Sequence, residues 1–215
     1  MMIKIEHVTK KFKNNIVLNN VSLEFQKGKI YGIIGRNASG KSVLFKTICG
    51  FLEPDSGYVE VNRINIYDDR CFPKNISALI EKPKFMDDLS GIENLVLLSK
   101  IKNKITKDDI LEILRKVSIS ESDQTKLVKN YSVGTKQKLG IAQVLMEDDD
   151  ILIFDEPFNG LDDSSVKNIR ELILNEKKKG KLILLASHIK EDIDLLCDIV
   201  YRVDCGKVTK YEKSK

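Results

Sequence analysis

The sequence predicts an α/β fold: a parallel-sheet core, an antiparallel β layer formed by its N-terminal strands, and a helical lobe inserted into the core. Three observations carry that expectation. Short apolar strands alternate with helical segments towards both ends of the chain. Between about Pro83 and Glu147 the pattern changes to helix-start motifs in succession, and near Gly35 an apolar strand runs through a glycine-containing loop straight into a helix.

Taken in order, "MIKIEHV" and "IVLNNVSLEF" cluster or alternate β-formers and read as strands. "KIYGIIG" is a short apolar strand, and "KSVLFKTICG" has helical spacing that ends at Gly50, a glycine suited to the C′ position. "GYVEVNR" and "ISALI" supply two more strands. In the lobe, Ser90 with Glu93 and Thr106 with Asp109 have capping-box spacing ahead of apolar-periodic segments. Alternation then resumes: strand "ILIF", a helix from about Asp162 to Lys179, strand "KLILLAS", a helix from about Ile189, and closing strands "DIVYRV" and "KVTKY". Residues 1–215 read as a single domain with the lobe, approximately 83–147, set into the α/β core.

Composition narrows the function classes. A chain of 215 residues that is 42% hydrophobic and 32% charged is neither disordered nor membrane-spanning. The net charge of +4 arises from 36 basic and 32 acidic residues scattered throughout, so it gives no argument for nucleic acid. Lys177 to Lys179 and the lysine-rich last ten residues read as a solvated helix end and tail. Cys49, Cys71, Cys197 and Cys205 form no CxxC pair, and His7 and His188 complete no zinc spacing, which points to a reduced, cytosolic protein. The N-terminal "MMIKIEHVTK" lacks the apolar run of an export signal. Runs such as "LILLA" fall far short of the roughly 20 residues that span a bilayer.

The chemistry starts at Gly35-Arg36-Asn37-Ala38-Ser39-Gly40-Lys41-Ser42, which satisfies GxxxxGK[ST] between a predicted strand and a predicted helix. Backbone N–H groups of such a loop, with Val43 opening the helix behind it, encircle a phosphate chain. The helix dipole adds positive potential, Lys41 reaches the terminal phosphates and Ser42 ligates Mg²⁺. These residues predict a P-loop NTPase core. "ILIFDEP" supplies the second half: Asp155, at the end of a buried strand, can hold Mg²⁺ through water, and Glu156 can polarise a water for attack on the γ-phosphate. His188 ends the next apolar strand in the same way, so neighbouring parallel strands can present it beside Asp155 in a role towards γ-phosphate or water.

Together these motifs resemble the ATP-binding subunit of ABC transporters along essentially the whole chain. The resemblance implies an ATPase with ATP and Mg²⁺ as cofactors. "YSVGT", Tyr131 to Thr135, stands where the family has its LSGGQ-type signature, so Ser132, Gly134 and Thr135 would meet the ATP held by a second copy of the subunit. "NGLD", Asn159 to Asp162, resembles the D-loop, and His188 falls on the switch histidine. Phe12 resembles the aromatic that stacks on adenine, although an aromatic near a strand end suits a core position nearly as well. Glu81 falls where the family usually has a glutamine that reaches Mg²⁺; a glutamate can ligate the metal but adds negative charge beside a triphosphate. Ala38 replaces a frequent glycine, harmless at negative φ and costing about 1 kcal/mol or more otherwise. Val133 replaces the first signature glycine.

The resemblance further implies a separate integral-membrane permease, a homodimer of ATP-binding subunits, no nucleic-acid partner, and a cytoplasmic subunit peripheral on the inner face of the cell membrane. "SALIEKPKF" is similar to exporters associated with peptide-antibiotic resistance and immunity. Phe85, Met86 and Leu89 are expected either to line a groove for the permease or to be lobe core. Competing readings are a non-hydrolytic regulatory module, for which Glu81, Ala38 and Val133 would be signs of decay, and a P-loop small-molecule kinase, which has no need of "YSVGTKQKLG", "NGLD" or His188. A DNA-repair or chromosome ATPase of the same family would require a long heptad insertion that the interval from Ser42 to Tyr131 lacks.

Overall fold

The computed structural model describes residues 2–68 and 72–212. Cys71 and the last three residues of the lysine-rich tail lie outside this range. The N-terminal layer is a four-stranded antiparallel sheet, built from β1 (Ile3–Phe12), β2 (Asn15–Phe25), β4 (Ser56–Val61) and the short β5 (Ile64–Asn65) in the order β2-β1-β4-β5. Beneath it, β3 (Ile30–Ile34), β6 (Ile76–Leu79), β7 (Ile151–Asp155), β8 (Leu182–Ala186), β9 (Ile199–Asp204) and β10 (Lys207–Tyr211) form one sheet in the order β10-β9-β3-β8-β7-β6. Every pairing from β9 through β6 is parallel, and only the edge strand β10 runs antiparallel to its neighbour.

Both faces of this sheet are covered, which explains why β7 and β8 are unbroken apolar runs instead of alternating ones. Ile151, Ile153, Leu182 and Leu184 share one core with α1 (Lys41–Ile48) and the antiparallel layer. Leu152, Phe154, Ile183 and Leu185 share the other with the helices of the opposite side. Those helices are α5 (Val133–Leu145), α6 (Asp163–Lys178) and α7 (Lys190–Leu196).

The intervening segment is helical: α2 (Gly91–Ser99), α3 (Lys107–Lys116), α4 (Glu121–Thr125) and a 3₁₀ turn at Val128–Asn130 precede α5. Ser90 and Thr106 each cap a helix reciprocally with the acid three residues on, as their spacing predicts. Gly50 takes φ +76° just past α1, where a left-handed residue ends a helix without a Cβ penalty. The basic end of α6 is ion-paired as well as solvated: Lys177 meets Asp198 at 2.5 Å and Lys179 meets Glu176 at 2.7 Å.

Candidate nucleotide site

Strand order places the loops that follow β3, β7 and β8 side by side at one edge of the sheet, the position at which α/β sheets bind ligands. Residues 35–40 wrap from β3 into α1. Close packing requires glycine at two of these positions. A Cβ on Gly35 would lie 2.5 Å from the Val203 carbonyl oxygen, and one on Gly40, at φ +112°, would lie 2.8 Å from that of Val17. Ala38 sits at φ +61°, so it takes the costly branch of the sequence-based alternative. Lys41 is buried, and its ammonium donates to the carbonyls of Gly35 at 2.8 Å and Arg36 at 3.2 Å. The Ser39 hydroxyl is buried without a hydrogen-bond partner inside the loop. Val43, in the first turn of α1, packs its side chain against the core, so its contribution to a phosphate site is confined to its backbone.

The Ser42 hydroxyl donates to Asp155 Oδ2 at 2.5 Å. These hard oxygen donors suit Mg²⁺ held jointly with substrate phosphates, and no cluster of three or more potential metal-ligating side chains exists among the described residues to form an all-protein cage. The orphaned Ser39 hydroxyl, the glycine-tight loop and this oxygen pair fit a Mg²⁺-triphosphate. A cavity of about 470 Å³ opens beside them, bordered by Asn37, Ala38, Lys41, Ser42, Asp155 and Glu156.

Glu156 and His188 come together because β7 and β8 run parallel with Asp155 opposite Ala186. One residue beyond β7, Glu156 adopts φ +53°, which turns its carboxylate towards the end of β8. Its Oε2 lies 2.7 Å from His188 Nδ1 and accepts the His188 backbone N–H at 3.3 Å. The histidine side chain stays 58% exposed and borders a neighbouring hollow with Gly35 and Arg36, not the cavity itself.

Glu81 borders the same cavity, but its Oε1 is 2.5 Å from Lys46 Nζ on α1. The charge that the glutamate adds near a triphosphate is therefore offset by Lys46, a residue the sequence reading did not single out. Phe12 is 46% exposed at the end of β1, with its ring 5.8 Å from the Lys10 ammonium. It is a surface residue, not core, and it does not border the cavity.

Ser132 caps α5 by accepting the Thr135 N–H at 3.0 Å. Neither Ser132, Gly134 nor Thr135 borders the subunit's own cavity, whereas their neighbours Val133, Lys136 and Gln137 do. Val133 is 72% exposed, and a Cβ on Gly134 would lie 2.7 Å from the Gly160 carbonyl, so the start of α5 and the "NGLD" loop are seated on each other. Gln137 Nε2 donates to the carbonyls of Glu156 at 3.3 Å and Pro157 at 3.0 Å, tying α5 to the loop that carries the carboxylate. A glutamine on an apolar helix face is the only local trace of that link.

Comparison with known proteins agrees with this geometry. Residues 18–159 match the ABC transporter family. The chain is 38% identical over 212 residues to an uncharacterized ABC transporter ATP-binding protein, YybJ, of Bacillus subtilis, covering 99% of this chain and 97% of that one. It is 33% identical over 211 residues to the lantibiotic transport ATP-binding protein SrtF of Streptococcus pyogenes, covering 96% and 89%. The fold superposes with a TM-score of 0.88 on a dimeric ATP-binding cassette in a post-hydrolysis state bound to ADP and Pi, at 22% identity over 99% of this chain and 100% of that one. With its family match spanning most of the chain and a relative similar along nearly its whole length, the chain belongs to the ABC transporter family, as an ATPase subunit.

Proposed function

We propose that two copies of this subunit close over Mg²⁺-ATP, each site combining the phosphate loop of one copy with the start of α5 from the other, and that hydrolysis powers export of a peptide antibiotic through a separate permease. The observation that carries the catalytic part is the Glu156–His188 pair beside Ser42 and Asp155. In this reading the residues described act as one ATPase domain, with the helical lobe carried on the α/β core. Support for the peptide cargo comes from the lantibiotic relative and the "SALIEKPKF" segment. Support for pairing comes from the exposed α5 start and the dimeric cassette of the same fold.

Phosphate binding follows from the loop's inward N–H groups and Lys41. Ser42 and Asp155 would hold Mg²⁺, which would supply positive charge against the phosphates of the nucleotide. Glu156 accepts a proton from the attacking water, and His188 fixes the orientation of that carboxylate through Oε2. Gln137 and the Gly134–Gly160 contact couple the start of α5 to the same loop, so a partner's γ-phosphate on α5 bears on Glu156. Differential affinity of ATP for the closed pair then drives closure, and product release reopens it.

No helix among the described residues is long and apolar enough to cross a membrane, so transport calls for a membrane partner that holds the subunit at the inner face of the cell membrane. The expected permease groove at Phe85, Met86 and Leu89 divides: Phe85 packs against the lobe core and Met86 is 57% exposed. A hollow of about 500 Å³, larger than the one of about 330 Å³ that Leu89 lines, lies between core and lobe, rimmed by the exposed Phe51, Phe72 and Ile101, and is the proposed contact for the permease.

Replacing Glu156 with Gln keeps the shape and removes the base. Steady-state ATPase assays should show turnover lower by roughly 10²–10⁴-fold, with ATP binding preserved and an ATP-dependent dimer accumulating in size-exclusion chromatography. Unchanged turnover would remove Glu156 from the base role.

A further inference from the structure

We infer that Ser187, Asp192 and Arg170 are positioning residues for the Glu156–His188 pair, acting through one continuous hydrogen-bonded chain. The inference rests on the catalytic reading of that pair. β8 ends at Ala186, and the chain must turn within two residues to bring His188 back over Glu156. The turn precedes α7, whose N-cap, Ile189, makes no side-chain capping bond. Ser187, 1% exposed, braces the turn ahead of that helix: its hydroxyl oxygen accepts the Ile189 N–H at 3.1 Å. The same hydroxyl donates its proton to Asp192 Oδ2 at 2.8 Å.

Asp192 is fully buried, and a buried carboxylate is costly unless paired and hydrogen-bonded. Its second oxygen, Oδ1, accepts from Arg170 Nε at 2.9 Å and Nη2 at 2.5 Å, the two-pronged geometry only a guanidinium provides. Arg170 also reaches Glu191 at 3.1 Å, and its guanidinium carbon lies 5.9 Å from the ring centroid of Phe158. Phe158 is buried two residues beyond Glu156. One cation on α6 therefore touches the loop that carries Glu156 and, through Asp192 and Ser187, the turn that carries His188.

A simple staple between α6 and α7 would need only the Arg170–Asp192 pair. The other carboxylate oxygen goes instead to Ser187, and the remaining lone pair of Ser187 goes to the first N–H after His188. Both elements of the chain thus terminate at the two reacting loops. Displacing a reacting group by about 1 Å costs on the order of 10²-fold in rate, so even partial loosening of this turn is measurable.

The test is a double-mutant cycle on the full chain, with ATPase kinetics for Ser187→Ala, His188→Ala and the pair. Ser187→Ala should lower kcat by roughly tenfold or more and leave KM for ATP within about twofold, because the phosphate loop is untouched. In the His188→Ala background it should add nothing. Nitrogen-15 spectra of the imidazoles, assigned with His7→Gln, should show the His188 Nδ1 signal moving towards that of an unbonded ring in Ser187→Ala. Arg170→Lys keeps the charge but loses the fork, and should shift the same signal and lower kcat with the fold intact by circular dichroism. If Ser187→Ala and Arg170→Lys leave both kcat and the His188 signal unchanged, or if Ser187→Ala costs as much without His188 as with it, the inference is overturned. Full turnover in His188→Ala overturns the catalytic reading of the histidine itself.

Discussion

At the residue scale, the cavity is rimmed by three non-glycine residues with left-handed backbone: Ala38 at φ +61°, Glu81 at φ +63° and Glu156 at φ +53°. Each carries strain that surrounding structure must hold, and such strain collects at functional sites. For Glu156 and Glu81 the unusual backbone aims a carboxylate, at His188 and Lys46 respectively. Ala38 has no functional group to aim, so its strain is pure cost. Ala38→Gly should therefore raise stability by about 0.5–1 kcal/mol, the relief of strain outweighing glycine's added freedom in the unfolded chain. Calorimetry should show a melting temperature higher by about 1–4 °C with ATP affinity retained. A lower melting temperature would mean that the loop is not strained at this residue.

At the element scale, the lobe helices depend on two carboxylate caps. Glu93 Oε2 accepts the Ser90 hydroxyl at 2.6 Å and the Ser90 N–H at 2.8 Å, and these bonds hold the Glu93 carboxyl below its ordinary pKa. Asp109 is lowered in the same way by the Thr106 hydroxyl at 2.7 Å and then by the Thr106 N–H. A carboxylate depressed on folding stabilises the fold above its unfolded pKa, and that contribution is lost as pH falls through the folded value. In hydrogen exchange between about pH 5 and pH 3, the first-turn amides of α2 and α3 should lose protection while β7 and β8 keep theirs. Simultaneous loss in lobe and strands would show that the caps do not set the lobe's acid response. Packing of α5 against the sheet is close at Gly140, where a Cβ would stand 2.9 Å from both Leu79 and Pro83. A glycine in mid-helix, costly by propensity alone, here admits β6 and the segment after Glu81.

At the scale of the whole molecule, strand order makes the site. β3, β8 and β7 are adjacent in the sheet although β8 follows β3 by about 150 residues of chain; the loops after β3 and β7 open on one cavity, and the loop after β8 is tied to it by the His188–Glu156 contact. The exposed start of α5 has no phosphate-loop partner of its own at Ser132, which is why a second copy is required in the proposed cycle. Ser132→Arg should abolish turnover by blocking the paired state, while isothermal titration of the monomer should show ATP affinity within about twofold of the parent, because Lys41 and Ser42 are not touched. Surviving turnover would show that this stretch does not complete a partner's site.

What the sequence determined by itself was the local physics: helix starts at Ser90, Thr106 and Asp162, the helix end at Gly50, and the strand–loop–helix that presents Lys41 and Ser42. Each depends on residues within a few positions of one another, and local hydrogen bonding is written locally. The acidic strand end at Asp155 and the strand-end histidine were legible for the same reason. Only the tertiary structure decided the sign of φ at Ala38, the capture of Glu81 by Lys46, the link from Gln137 to Glu156, and the chain from Arg170 to Ser187. It also placed Phe12 at the surface. The contacts of Glu81 with Lys46, Gln137 with Glu156 and Arg170 with Asp192 join residues 35, 19 and 22 positions apart, and no periodicity or cap encodes such a distance. They follow from the order in which strands pair and from which face of a doubly covered sheet each side chain meets, and both are set by the packing of the complete chain.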